Sequence, residues 1–109
     1  MSDFTLADFS FVNRSRCKAW RGEADSLHHH LIGLAGEFGE VCNAVKKLQR
    51  KQAGKKGGED ICLEDVADEL ADVLIYLDLV AAHFGIDLAE AVARKFNATS
   101  VKHGFTHRI

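Results

Sequence analysis

The chain has 109 residues, with 14 Lys and Arg set against 16 Asp and Glu for a formal net charge of −2. One domain over residues 1–109 fits that length, which suffices to bury about two-thirds of the unfolded surface. The near-neutral balance argues against a nucleic-acid partner, since it lacks the positive field a polyanion requires.

No residue is proline, and no useful stretch alternates like a strand, so the expected fold class is all-α. A first helix is predicted from about Leu6 to Ala19, with Thr5 and Asp8 in capping-box relation and Gly22 beyond its end. Ser26 is a good N-cap for a second helix reaching about Lys51. Gln52 to Asp60, rich in glycine and charge, reads as a flexible loop. The third helix is expected from about Ile61 to Phe84, stopped by Gly85. Asp87 and Glu90 repeat the capping-box pattern before a fourth, Leu88 to about Lys102, with Gly104 after it. The short connections favour antiparallel neighbours in a four-helix bundle. The N-terminus lacks a basic segment followed by an apolar run, and the most apolar stretch, Val66 to Phe84, carries Asp68, Glu69, Asp72, Asp78 and His83. Neither export nor a membrane span is expected. Three cysteines, Cys17, Cys42 and Cys62, form an odd set without metal-type spacing, which suits reduced thiols in a cytoplasmic setting.

Two acidic pairs carry the most chemical information. Glu37 and Glu40 are spaced i, i+3 on the second helix, and Glu69 and Asp72 repeat that spacing on the third, so each pair shares one helix face. Around the first pair Leu34, Phe38, Val41, Val45 and Leu48 form an apolar stripe. The carboxylates lie one residue earlier, in register with Gly33, Ala44 and Lys47. Around the second, Val66, Leu70, Val73, Leu77 and Val80 show the same offset from Asp65, Glu69, Asp72 and Tyr76. If the helices pack through these stripes, four carboxylates converge in a partly desolvated groove and repel one another unless a cation binds. Four oxygen donors without His or Cys suit a hard ion such as Mg²⁺ or Mn²⁺ rather than zinc. Gly33, Gly36 and Gly39, unfavourable inside a helix by about 1 kcal/mol each, serve either close helix packing or room for a ligand beside the acids.

Gly36-Glu37-Phe38-Gly39-Glu40-Val41 with Lys46-Lys47, then Asp68-Glu69-Leu70-Ala71-Asp72-Val73-Leu74, then Lys95-Phe96-Asn97, resembles the MazG-like branch of the all-α nucleoside triphosphate pyrophosphohydrolases, over roughly residues 14 to 105. The resemblance implies Mg²⁺ held by Glu37, Glu40, Glu69 and Asp72, with hydrolysis of a nucleoside or deoxynucleoside triphosphate between its α- and β-phosphates. It also implies nucleotide contacts at Lys95 and Asn97, base contacts in the stretch from Asn13 to Trp20, and a homo-oligomer, dimer or dimer of dimers, that completes the bundle. Many members carry a further Glu before the first motif Glu, where this chain has Gly36.

The remaining candidates follow from the chemistry of a polyanionic substrate. Cationic side chains must offset phosphate charge beside the acids. Lys95, Thr99 and Lys102 make a polar stripe on the fourth helix, and Lys47 follows the first acidic motif by two turns; each suits phosphate contact or a solvated helix face. Trp20, the single tryptophan, offers a flat apolar surface for a nucleobase or a packing contact. His28, His29 and His30 point about 100° apart on a helix and read as solvent-facing or subunit-contact residues. Cys42 reads as small core filler. A rival function from another class is a non-enzymatic helical module whose acidic groove and basic loop bind a protein or nucleic acid.

Overall fold

The computed structural model describes residues 3–21 and 26–109 and is all-α, with helices α1 (Leu6–Arg21), α2 (Leu27–Gln52), α3 (Leu63–His83) and α4 (Leu88–Lys102). The first helix runs to Arg21, two residues past the expected end at about Ala19, and Gly22, expected beyond that end, lies outside the described residues. Thr5 and Asp8 exchange side-chain-to-backbone hydrogen bonds of 3.0 Å in both directions, satisfying two groups that the first turn leaves open. Ser26 Oγ accepts from the His29 N–H at 3.1 Å. The third helix begins two residues later than the apolar pattern suggests because Cys62 serves as its N-cap. Asp65 Oδ2 accepts from the Cys62 N–H at 2.9 Å and from its thiol at 3.2 Å. At the far end Gly85 takes a left-handed φ of 64°, and the Ile86 N–H reaches back to the Ala81 carbonyl, a helix stop that needs the missing side chain. Before α4 the Asp87 carboxylate accepts from the Glu90 N–H.

The loop between α2 and α3 touches the end of α2 at two points. Lys51 Nζ donates to the Ile61 carbonyl at 2.7 Å. Gly58 is buried so closely on α2 that a Cβ there would strike the Lys47 carbonyl oxygen. The expected loop is present, and Gly58 lets it lie against the end of α2.

The contacts His30 to His83, Gly33 to Tyr76 and Glu37/Glu40 to Glu69 run in opposite sequence directions, so α2 and α3 pack antiparallel. Gly33 makes this approach possible, since a Cβ would enter the Tyr76 ring. Next, α1 lies on α3 through a polar knot. Asp78, 0% exposed, accepts from Ser10 Oγ at 2.6 Å, Asn13 Nδ2 at 3.0 Å and Arg14 Nη2 at 3.1 Å. A buried carboxylate is tolerated only with partners of this kind. Finally, α4 packs against α1, and Arg14 also donates to the Ile86 carbonyl just ahead of α4.

Within one chain the four helices do not close around a common core. The radius of gyration is 17.1 Å, against about 13 Å for a compact domain of this length. Among the described residues the buried apolar side chains are Ala44, Val66, Leu79 and Ala81, while Phe38 is 61% and Leu70 54% exposed. The seam expected through Phe38 and Leu70 is thus displaced by one residue. Beside the acids the helices meet through the stripe that carries Gly33, Glu37 and Ala44; of the bulkier stripe Phe38, Leu70 and Leu77 are exposed, whereas Val66 is buried and Leu34, Val41, Val45 and Val73 are half-buried. Among the described residues, no helix is long and apolar enough to cross a membrane.

Candidate metal centre and adjoining cavity

Because α2 and α3 approach closely at Gly33, three of the four i, i+3 acids, Glu37, Glu40 and Glu69, are brought together, while Asp72 is not part of that group and lines the adjoining cavity with Glu37. Carboxylate oxygens of Glu37, Glu40 and Glu69 lie within 4.8 Å of one another. Glu37, Glu69 and Asp72 are partly buried and Glu40 is exposed. Burial holds the Glu37 carboxyl above its ordinary value, and the charges of Glu40 and Asp72 push it the same way. Glu69 is raised too, first by sharing a proton with the Glu40 carboxyl, then by burial and by the charges of Glu40, Glu37 and Asp72. Like charges crowded in a desolvated cleft behave in this way.

Two atoms bear directly on whether a cation fits. Glu37 Oε2 and Glu69 Oε2, on facing helices, are buried with no hydrogen-bond partner. A buried carboxylate oxygen without a donor is strongly unfavourable unless something positive meets it. The donor set is entirely oxygen, which matches a hard divalent ion. The residues therefore fit such an ion.

Glu37 and Asp72 also form one wall of a cavity of about 240 Å³, shared with Arg16 and Trp20 from α1, His29 from α2 and Tyr76 from α3. Acidic and aromatic walls thus face one space. A Cβ added at Gly36 or Gly39 would meet nothing within 4 Å, so close packing explains only Gly33.

The other sequence candidates lie elsewhere. Lys47 is exposed near the α2 end that meets Gly58. Lys95 lines a separate cleft with Phe96, Thr99 and Phe105. Asn97 is engaged by the chain end, donating to the Ile109 carbonyl and accepting from its N–H, both at 2.9 Å. Lys102 is exposed in the last turn of α4. One chain does not bring these four to the acidic cavity. Conversely, the sequence pattern does not single out Arg16 or His29 for this wall; the i, i+4 spacing of Arg16 and Trp20 is the available signal. The histidine run is corrected in part, since His30 is 4% exposed and packed between α1 and α3. Cys42, expected as core filler, is exposed, because the seam falls on Ala44 instead.

The fold and site define an all-α protein in which two antiparallel helices bring acidic side chains of ExxE and ExxD motifs into a candidate cation-binding cluster. The model of the MazG nucleotide pyrophosphohydrolase domain matches residues 25–103, and the chain belongs to that family. It is 34% identical over 79 residues to the Gene 37 protein of Mycobacterium phage L5, an alignment covering 70% of this chain and 68% of that protein. No solved structure matches it. The matched segment starts after α1, so the wall carrying Arg16 and Trp20 lies outside it.

Proposed function

We propose that the chain hydrolyses a nucleoside or deoxynucleoside triphosphate to the monophosphate and pyrophosphate, using Mg²⁺, with Mn²⁺ as substitute, held by Glu37, Glu40, Glu69 and Asp72. The observation that carries this reading is the pair of buried, unpartnered oxygens Glu37 Oε2 and Glu69 Oε2 on facing helices, together with membership of the family. The ion would supply charge neutralisation for the phosphates and a more nucleophilic water. Glu37, which belongs to both the acidic cluster and the cavity wall, joins the phosphate end of the site to the base end. Trp20 and Tyr76 offer ring faces to the base, and Arg16 offsets phosphate charge from the opposite wall.

Lys95, Asn97 and Lys102 serve the nucleotide in an assembly of two or more copies. The exposed Phe38, Leu70, Leu74 and Leu77 give such an assembly its apolar surface. A stable monomer in light scattering at micromolar concentration would contradict this part. The reaction is tested by hydrolysis in heavy-oxygen water with a panel of nucleotides. Label should appear in the nucleoside monophosphate, with pyrophosphate unlabelled; label in pyrophosphate, or release of single phosphates, would overturn the assignment. A cytoplasmic location agrees with the exposed thiols of Cys42 and Cys62.

A further inference from the structure

Away from the acidic cluster, a line of polar contacts joins three helices. His30 on α2 is 4% exposed. Its Nδ1 lies 2.8 Å from Nε2 of His83 on α3, and its Nε2 lies 3.7 Å from Sγ of Cys17 on α1. The two ring nitrogens therefore serve different partners. A neutral imidazole has one N–H and one lone pair. In the tautomer in which Nδ1 donates to His83, the lone pair of Nε2 is aimed at the thiol. Nucleophile, base and orienting acceptor then stand in the order that converts a thiol into a thiolate. Cys17 lines the same cavity as Arg16, His29, Glu37, Asp72 and Tyr76, so a small reagent in that space meets the sulfur.

We propose that Cys17 is a reactive thiol, activated by His30 with His83 as positioning residue, and that it is a site of oxidation by small hydroperoxides. The thiol proton passes to His30 Nε2, and the sulfur attacks the distal peroxide oxygen. The O–O bond breaks and the departing oxygen takes the proton from His30, leaving as water or an alcohol. Sulfur is oxidised by two electrons to the sulfenic acid, and the peroxide is reduced. The exposed Cys42 and Cys62 provide internal references, the latter facing the Asp65 carboxylate instead of an imidazole.

The test treats the whole chain with hydrogen peroxide at neutral pH, traps sulfenic acid with dimedone, and follows the three cysteine peptides by mass spectrometry. Cys17, although the least exposed, should be labelled about tenfold faster than Cys42, as a base-paired thiol is. Two variants separate activation from packing: His30→Asn, and His83→Ala at an exposed position. Loosened packing would raise the Cys17 rate, whereas loss of the base or its orientation lowers it severalfold, with the Cys42 rate unchanged. Labelling of Cys17 no faster than of Cys42, or a Cys17 rate that neither variant lowers, would overturn the proposal. The readout is labelling, so it stands whether or not the chain hydrolyses nucleotides.

Discussion

Replacing Asp78 by Asn keeps the shape of a side chain that is 0% exposed and removes its charge. Its Oδ1 accepts from Ser10 and Arg14, and its Oδ2 from Asn13. An amide has a single oxygen, so in either orientation its NH₂ faces a donor. At least one of these bonds is lost and a second N–H is left opposite another. Hydrogen bonds to charged groups contribute about 1.5–3 kcal/mol each, and breaking a buried ion pair is unfavourable by about 3–5 kcal/mol. Arg14 keeps 27% of its side chain in water and recovers part of that, which brings the expected loss to about 2–3 kcal/mol. Against a total of about 5–15 kcal/mol that is a large fraction. Urea unfolding at fixed protein concentration measures it, with Trp20 fluorescence reporting α1 and helical circular dichroism reporting the whole chain. The Trp20 transition should shift to lower urea, at least as far as the dichroism does, because the lost bonds tie α1 to α3. A stability change below about 0.5 kcal/mol, the scatter typical of surface substitutions, would refute the role assigned to this knot. Arg16 and Trp20 ride on α1, so under the proposed function nucleotide affinity should weaken in parallel.

The acidic cluster and the glycines on α2 give further expectations. Glu40→Gln and Glu69→Gln each remove a carboxylate of the proposed metal site at nearly constant size, so turnover should fall by orders of magnitude while helicity persists; near-normal turnover in either would sink the site. The folded-state values of Glu37 and Glu69 lie above the ordinary 4.5. These carboxyls therefore favour folding while protonated, and that contribution is lost as pH rises from about 4.5 through the raised values. Thermal unfolding without divalent ions should show this decline, Glu69→Gln should flatten it, and millimolar Mg²⁺ should restore stability at neutral pH by binding the folded state alone. An identical pH profile in Glu69→Gln would count against the crowding. Gly33→Ala forces a methyl group into the Tyr76 ring, an overpacking worth about 1–3 kcal/mol, whereas Gly36→Ala meets open space and gains about 1 kcal/mol of helix propensity. Melting temperatures should move in opposite directions, and a shared direction would contradict the close approach at Gly33.

The helices were legible because each carries its own signals. Thr5, Ser26 and Asp87 cap as their spacing suggests, and only the Cys62 cap departs, since cysteine is not an ordinary N-cap. The convergence of Glu37, Glu40 and Glu69 was legible for a related reason, two i, i+3 pairs with the same offset on helices that a short loop makes neighbours. Which stripe would form the seam was not. On α2 the small residues Gly33 and Ala44 and the large residues Phe38 and Val41 belong to stripes one position apart, and each stripe alone makes a plausible interface. The choice is made by Tyr76, whose ring needs the bare backbone of Gly33, a contact between two helices that no local pattern encodes. Once that choice is made the rest follows. The acids move from the edge of the seam into it, the buried oxygens of Glu37 and Glu69 are set against each other, and Phe38 and Leu70 are pushed outward. The geometry that gathers the acidic cluster thus also exposes Phe38 and Leu70, so a change that restored Phe38 to the α2–α3 seam would remove both together.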